Sequence, residues 1–376
     1  MIPYGRHELR PEDHQAVLEV LESGWLTGGP AVHAFEQDLA SVCTAPRVVS
    51  CSNGTTALHL VAEAIDAPPG AWWICTPSTF VASIQAGIYS GYRPVFVDAD
   101  PETGLICLDS LAGLLEAARD HDAVVAAVVA VDLNGHCVPI NDLADLLDVY
   151  AVPIVRDAAH SLGAVDADGV AVGGNDRVLA TALSFHPVKL IAAAEGGALV
   201  GHDDEFMERV KHLRSHAMTR QPGTPSDYRV DAVGYNYRLS DLHAALGRSQ
   251  LARIEEKLEK RRALAAVYRD ELSGAPDLRM VVPAEGTLSA WHLMSVLVDP
   301  ERRWALIAAL REAGIGAAHH YPAAHLQPVY EGFLPGLAGT CPGAEAYCAS
   351  QITLPLFEQL TVEEVKRVTQ TLKNLL

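Results

Sequence analysis

The chain has few positive charges: 28 Lys and Arg residues stand against 47 Asp and Glu residues, for a formal net charge of −19. No cluster of basic residues could form a local positive surface. Because the backbone of a nucleic acid is negatively charged, this balance argues against nucleic acid as a partner. An anionic substrate would have to be bound by local donors against the field of the whole protein.

Long apolar runs are also missing. The first ten residues, MIPYGRHELR, contain no apolar signal region. The most continuous apolar stretch, at 123–131, is about half the length of a membrane span. We therefore expect a cytoplasmic protein without a membrane partner.

Metal-binding and disulfide patterns are absent as well. The seven cysteines show neither CxxC spacing nor a compact framework, which predicts reduced thiols in the core. Two small clusters occur among the 16 histidines, but neither has accompanying cysteines or an HExxH pattern. These clusters are His319, His320 and His325, and His212 with His216. We expect no metal site.

The chain has a hydrophobic content of 49%, enough for one large core and a second, smaller one. From about residue 30 to 250, short β-rich runs alternate with helical patterns, which indicates a mainly parallel sheet covered on both faces. The seven predicted strands are 47–51, 72–76, 94–97, 124–131, 153–156, 180–185 and 198–200. The predicted helices include 34–42, 56–65, 84–89, 108–118 and 143–149.

Near residue 250 the pattern changes to a long charged helix, predicted at about 251–272, and then to shorter α and β segments. We predict a large α/β domain at 1–250 and a smaller carboxy-terminal α+β domain at 251–376. The amino-terminal segment could pack on the small domain. The stretch 219–231 has turn chemistry and is predicted to be an exposed, mobile loop.

Three segments of the predicted sheet could carry chemistry. In the first, CSNGTTAL at 51–58, a strand leads through small polar residues into a helix. The free N–H groups of such a helix start, with the hydroxyls of Thr55 and Thr56, suit a phosphate. A helix cap with nothing bound would have the same pattern.

The second segment, VPIVRDAAH at 152–160, is an apolar strand that ends in Asp157. Ligands of parallel α/β sheets lie beyond the carboxyl ends of the strands, where this carboxylate is placed. It could hold a protonated pyridine nitrogen. The alternative is that Asp157 only caps the next helix.

The third segment, SFHPVK at 184–189, places Lys189 just after a buried strand among apolar neighbours. Burial favours the neutral amine that a Schiff base requires. A solvated surface lysine is the alternative. The functional interpretation is favoured because a phosphate site, a carboxylate and an amine follow one another on one sheet.

Over nearly its whole length the sequence resembles the sugar aminotransferases of the DegT/DnrJ/EryC1/StrS group. These are pyridoxal-phosphate (PLP) enzymes of fold type I that act on nucleotide-linked keto-hexoses. The matching stretches, in order, are GWLTGGP at 24–30, SNGTTALH at 52–59, TPSTF at 76–80, DAAH at 157–160, SFHPVK at 184–189, EGG at 195–197 and GYNYR at 234–238.

The resemblance implies catalytic roles for three residues. Lys189 would form the Schiff base with PLP and move the proton between the substrate carbon and the cofactor. Asp157 would pair with the pyridinium nitrogen, and His160 would help to hold the ring. The sugar dehydratases of the same fold carry His in place of this lysine, so the presence of Lys189 argues against that activity.

The resemblance also implies how the cofactor is bound. Phe80 would stack on the ring, and Thr55, Thr56 and Ser184 would bind the phosphate. The family forms homodimers with shared active sites. Asn236 and Arg238 match the segment that reaches into the neighbouring subunit's site.

Within this family the chain is most similar to enzymes of pseudaminic acid biosynthesis, which aminate C4 of a UDP-linked 4-keto-6-deoxy-N-acetylhexosamine. The stretches that carry this similarity are IPYGR at 2–6, LRSH at 213–216, SAWH at 289–292 and HYPAAHLQP at 320–328. L-glutamate is the expected amino donor. Tyr4, His320 and Tyr321 become candidates for sugar or nucleotide contacts, although each could equally have a packing role.

Two departures from the family pattern stand near the expected cofactor. After Lys189 the family usually has Asn, a Thr pair and Gly, whereas this chain has LIAAA at 190–194. Ala194 in the place of Gly restricts the backbone, and the lost hydroxyls remove hydrogen bonds. Arg156 stands where the family commonly has Glu.

Other functions remain open at this point. The acceptor could be a dTDP-linked sugar, a sugar with a keto group at C3, or a cyclitol ketone of secondary metabolism. A protein of a different class, with the PLP fold but a regulatory role in place of catalysis, is a further alternative. Amination of a keto-sugar by glutamate would separate an enzyme from such a sensor.

Overall fold

The computed structural model describes residues 1–220 and 227–376. The helices are α1 (Pro11–Ser23), α2 (Pro30–Cys43), α3 (Gly54–Ile65), α4 (Ala82–Tyr89), α5 (Leu108–Asp120), α6 (Ile140–Asp148), α7 (Asp204–Arg214), α8 (Asp241–Leu251), α9 (Ile254–Leu272), α10 (Arg303–Glu312), α11 (Pro328–Glu331), α12 (Pro342–Ser350) and α13 (Val362–Leu375). Short 3-10 helices lie at Leu133–Gly135 and Ala324–Leu326.

The strands are β1 (Arg47–Cys51), β2 (Trp72–Cys75), β3 (Arg93–Phe96), β4 (Val125–Val131), β5 (Ile154–Asp157), β6 (Ala180–Ser184), β7 (Gly197–Gly201), β8 (Met218–Arg220), β9 (Tyr228–Val230), β10 (Arg279–Met280), β11 (Met294–Leu297) and β12 (Gln351–Leu354). The first seven form one sheet in the order β1-β7-β6-β5-β4-β2-β3. Only β7 runs against its neighbours in this sheet. This arrangement confirms the predicted α/β fold with a mainly parallel seven-stranded sheet.

Both faces of the large sheet are covered, as the continuous apolar run of β4 requires. Successive residues of a strand point to opposite faces. Accordingly, Ala127 and Val129 pack into the core that contains α3 and α4 residues, while Val128 and Ala130 pack into the core that contains α5 and α6 residues. The carboxyl ends of β1, β5 and β6 all lie at one edge of the sheet, where the site is built.

A second sheet, in the order β10-β11-β12, is antiparallel and has a core of its own with residues of α9, α10 and α13. Ile2 belongs to this core and pairs with Ile315. The backbone N–H of Gly316 donates to the Ile2 carbonyl at 2.6 Å, and that of Leu356 donates to the Tyr4 carbonyl at 3.0 Å. The first residues therefore pack beside the second sheet. The domain limits at 250 and 251 remain a prediction.

Two sequence-based expectations need correction. The helix predicted at 251–272 begins only at Ile254, because the backbone breaks between α8 and α9 at Ala252 and Arg253. The stretch predicted as a loop at 219–231 contains most of strand β8 and all of strand β9, which pair antiparallel. Its middle part, 221–226, lies outside the described residues. Nowhere in the described ranges is there a helix with the length and apolar character needed to cross a bilayer.

Candidate active site

A cavity of about 390 Å³ lies at the carboxyl edge of the large sheet, between this sheet and the segment after α10 that carries His320 and Tyr321. It brings together most of the residues that the sequence singles out. The predicted site residues that line it are Tyr4, Thr55, Phe80, Asp157, His160, Ser184, Lys189, His320 and Tyr321.

Lys189 follows β6 in a turn closed by its own backbone N–H, which donates to the His186 carbonyl at 2.8 Å. Its side chain lies in the cavity wall. Burial lowers the pKa of the Lys189 amine to about 8, against the effect of the Asp157 charge, which raises it. A substantial share of the amine is therefore neutral near physiological pH and able to act as a nucleophile.

Asp157 is the last residue of β5 and is held by two hydrogen bonds. Its Oδ2 accepts from the Ser83 hydroxyl at 2.6 Å, and its Oδ1 accepts from the Ala159 backbone N–H at 3.1 Å. Burial raises the pKa of this carboxyl, while these hydrogen bonds and the Lys189 charge act to lower it. A protonated pyridine nitrogen would supply the charge partner that such a buried carboxylate needs.

Ser83 is a further residue of the site, not predicted from the sequence. Its hydroxyl lies 2.8 Å from the Thr79 hydroxyl, so the two side chains form one polar group beneath Asp157. Thr79 lies before the start of α4 at Ala82, so no helical spacing in the sequence indicated this contact.

His160 lies against the side chains of Tyr321 and His292. Its Nε2 is 3.2 Å from the Tyr321 hydroxyl, and its ring centroid is 4.3 Å from that of His292. Burial lowers the pKa of both histidines well below the ordinary value, so both are neutral. Phe80 lies over the same region, with its ring centroid 5.6 Å from that of Tyr321.

The start of α3 forms the other end of the cavity. Asn53 caps the helix, since its side chain accepts from the Thr56 backbone N–H at 2.9 Å. The Thr56 hydroxyl lies 3.1 Å from that of Ser52 and does not line the cavity, in contrast to Thr55 and Ser184. The cavity therefore receives two hydroxyls and the positive end of the helix, a combination that suits a phosphate.

Close packing at this end requires glycine. A Cβ atom at Gly54 would lie 2.9 Å from Cβ of Ser184, and one at Gly197 would lie 2.4 Å from the Asn53 backbone. The start of α3 thus approaches β6 and β7 more closely than a side chain would allow.

Asn236 and Arg238 do not line the cavity. Asn236 is exposed and its backbone pairs with Ser215, while Arg238 is half-buried. The structure therefore does not bring these two residues to the site of their own chain.

Both departures from the family pattern have a defined structural setting. Ala194 is exposed and adopts φ +63°, in the left-handed region that favours glycine. Arg156 is fully buried, and its Nε donates to Asp132 Oδ2 at 2.8 Å. Asp132 also accepts from the Ser161 hydroxyl at 2.6 Å. Arg156 is thus one half of a buried ion pair under the site.

These groups fit PLP, because one cavity holds an amine with a lowered pKa, a buried carboxylate, an aromatic side chain and a phosphate-binding helix start. Lys189 could hold the aldehyde carbon, Asp157 the ring nitrogen, and Thr55 and Ser184 the phosphate.

Comparisons with known proteins agree with this fit. The model of the DegT/DnrJ/EryC1/StrS aminotransferase family matches residues 7–373. Helicobacter pylori PseC, an aminotransferase involved in the biosynthesis of pseudoaminic acid, is 28% identical with a TM-score of 0.92, covering 100% of this chain and 98% of its own. The aminotransferase TlmJ from Streptoalloteichus hindustanus is 30% identical with a TM-score of 0.92, again covering 100% and 98%.

A third similar structure is the PLP form of Spr1654 from Streptococcus pneumoniae. It is 26% identical with a TM-score of 0.91, and the match covers 100% of this chain and 98% of that one. The family match over nearly the whole length, together with the cavity and its groups, establishes the kind of enzyme. The chain belongs to the DegT/DnrJ/EryC1/StrS aminotransferase family and is a PLP-dependent sugar aminotransferase.

Proposed function

We propose that the protein transfers an amino group from L-glutamate to the C4 keto group of a UDP-linked 4-keto-6-deoxy-N-acetylhexosamine. The observation that carries the transaminase chemistry is the single cavity shared by Lys189, Asp157 and the start of α3. The choice of acceptor is supported by the full-length similarity to PseC, whose pathway is that of pseudoaminic acid.

Bound PLP draws electrons away from the substrate carbon attached to nitrogen, so that this carbon can lose and regain a proton. Lys189 removes the proton from glutamate at this carbon and later returns one to C4 of the sugar. An amine with a pKa of about 8 is suited to both directions, because it can accept and donate a proton near neutral pH.

The remaining residues of the site would orient and hold the cofactor. Asp157 keeps the ring nitrogen protonated, and Ser83 fixes the direction of its carboxylate. His160 would help to hold the ring as a neutral contact, and Phe80 would stack on it. Thr55 and Ser184 bind the phosphate directly, whereas Thr56 contributes through the helix cap.

The substrate end of the cavity is assigned to Tyr4, His320 and Tyr321, which come from outside the large sheet. The rings of Tyr4 and His320 lie 5.3 Å apart. Together they form a half-buried polar and aromatic wall of the kind that binds sugars and nucleotides.

The proposal includes a cytoplasmic homodimer in which Asn236 and Arg238 complete the site of the neighbouring subunit. Support comes from the family resemblance of the 234–238 segment and from its position outside the site of its own chain. A variant of Arg238 and a variant of Lys189, each inactive alone, would then restore partial activity when mixed as heterodimers.

The experiment that tests the proposal starts from purified protein supplied with PLP. Its visible absorbance band is recorded, and UDP- and dTDP-linked 4-keto sugars, a 3-keto sugar nucleotide and a cyclitol ketone are incubated with glutamate. We expect amination of the UDP-linked 4-keto-N-acetyl sugar with the highest kcat/KM. Faster amination of any other acceptor would overturn the choice of substrate, and cofactor binding without amination would favour a regulatory protein.

A further inference from the structure

A chain of buried polar side chains extends from the wall of the cavity into the second sheet. Gln351 and Thr353 lie on the same face of β12, two residues apart, and both are fully buried. The backbone of Ala318 pairs with Thr353, which brings the following His320 beside them. His320 itself lines the cavity.

The donor and acceptor of each hydrogen bond in this network of side chains follow from the contacts. The backbone N–H of His320 donates to Gln351 Oε1 at 3.0 Å, and this contact fixes the orientation of the amide. The other amide atom, Nε2, then donates its two protons to the hydroxyls of Ser295 and Thr353, each at 2.8 Å. The reversed amide would place its NH₂ against the backbone N–H, two donors facing each other.

The other end of this side-chain network supports the same orientation of the Gln351 amide. The Ser295 hydroxyl accepts from Gln351 and donates to Asn134 Oδ1 at 2.7 Å. The Asn134 amide in turn donates to the Tyr347 hydroxyl at 2.8 Å. The donors and acceptors of Gln351, Ser295 and Asn134 therefore match in this orientation.

The proton of the Thr353 hydroxyl is left for His320, whose Nδ1 lies 2.8 Å away. Since Thr353 donates, Nδ1 accepts, and a neutral imidazole then carries its proton on Nε2. Neutrality is favoured by burial, which lowers the pKa of His320 to about 4, and by the neighbouring charges of Lys189 and His319. Among the described residues, Nε2 of His320 has no hydrogen-bond partner.

We infer that Thr353 and Gln351 are positioning residues that hold His320 with an Nε2–H donor directed at an acceptor oxygen of the sugar nucleotide. The inference rests on the proposed function for the identity of this ligand. Keto, amide carbonyl and diphosphate oxygens can only accept, so a fixed donor favours them over groups that must donate. His320 thus contributes to the choice of substrate through its tautomer.

The direct test is nitrogen NMR of the PLP-loaded enzyme with 15N-labelled histidine, with His320 assigned by comparison with His320→Gln. We expect the wild-type signals to show an N–H at Nε2 and a bare Nδ1. Thr353→Val removes the hydroxyl with little change in shape, so His320 should no longer be held in the Nε2–H tautomer. Thr353→Ser keeps the hydroxyl and should retain this tautomer. A wild-type His320 protonated at Nδ1 overturns the inference even if no variant folds.

Kinetics give the second measurement. Thr353→Val should raise KM for the keto-sugar nucleotide about tenfold, as expected for one lost hydrogen bond, and leave kcat and the glutamate half-reaction within about twofold. Binding of UDP alone separates a diphosphate oxygen from the keto and amide carbonyl oxygens of the sugar, because Thr353→Val weakens UDP binding only if the acceptor is a diphosphate oxygen. If KM is unchanged in Thr353→Val although His320 no longer keeps the Nε2–H tautomer, the role of His320 in substrate choice is contradicted.

Failure of the proposed function would be visible separately. In that case the wild-type enzyme would aminate none of the sugar nucleotides, whereas the tautomer of His320, which is measured without substrate, would still be defined by the NMR signals.

Discussion

The hydroxyl of Tyr321 lies 3.2 Å from Nε2 of His160. His160 follows the end of β5 in the large sheet, whereas Tyr321 belongs to the segment that leads from the second sheet. Their contact joins the two walls of the cavity above the cofactor site.

Tyr321→Phe should therefore reduce kcat/KM by about five- to tenfold, since a hydrogen bond is worth about 1 kcal/mol. The visible band of the bound cofactor should also shift, because His160 loses its fixed position. Steady-state kinetics and absorbance spectra measure both effects. Tyr89→Phe is the control, as it deletes an exposed hydroxyl that contacts Gln85 at 3.0 Å. Equal activity of the two variants would show that the contact is dispensable.

Lys189→Ala should abolish turnover and the visible absorbance band, because Lys189 supplies the side-chain amine among the described residues that line the cavity. Lys189→Arg keeps a positive charge in the cavity but cannot form a Schiff base, and it should be equally inactive. Borohydride reduction followed by peptide mass analysis should label residue 189 in the wild-type protein alone. Near-normal turnover of Lys189→Ala would refute the mechanism.

The rate at which cofactor-free protein captures PLP should depend on pH through Lys189. Only the neutral amine attacks the aldehyde, so the rate should rise with pH and level off above the pKa of about 8. The Asp157 charge raises this pKa, and Asp157→Asn should therefore move the midpoint to lower pH while it also removes most of the turnover. Stopped-flow absorbance gives the midpoint, and a value near the ordinary 10.5 would contradict the burial of the amine.

Arg156→Met should destabilise the protein by about 3–5 kcal/mol, because Asp132 would remain buried without its charge partner. The double variant with Asp132→Asn should recover part of this loss. Urea unfolding of the cofactor-free protein provides the comparison. Arg47→Met is the matched control, since its 2.6 Å ion pair with Asp204 is exposed, screened by solvent, and should contribute little to stability. Similar losses for both arginines would argue against a special role of the buried pair.

Ala194→Gly should stabilise the protein by up to about 1 kcal/mol, because a left-handed backbone is strained for alanine and relaxed for glycine. Ala252→Gly, at an exposed alanine with φ −57°, should be destabilising by a similar amount. Thermal unfolding measures the two changes in stability, which should be opposite in sign. A loss of stability in Ala194→Gly would show that the turn gains more from the side chain than it loses in strain.

Much of this arrangement could be predicted from the sequence, because it depends on local patterns. The strands of the large sheet stand out as short apolar runs, and each predicted range overlaps a strand of the structure. Asp157 and Lys189 could be placed from the ends of two such runs. Helix α1 was not predicted, since its side chains are mostly polar and only Asp13 and Val20 are buried.

Contacts between distant segments could not be predicted in the same way. The pairing of Ser83 with Asp157, of Arg156 with Asp132 and of His320 with Thr353 depends on how the elements pack in space. The polar character of each residue was visible in the sequence, but its partner was not.

The position of Ile2 and Tyr4 beside the second sheet affects how the protein is made. Their hydrogen-bond partners, Gly316 and Leu356, lie far later in the sequence and are therefore synthesised after them. Ile2 and Tyr4 cannot form these hydrogen bonds until that later part of the chain has been made. A chaperone that shields this segment, or a large tag fused directly to it, would be expected to change the yield of folded enzyme more than the same addition at an exposed loop.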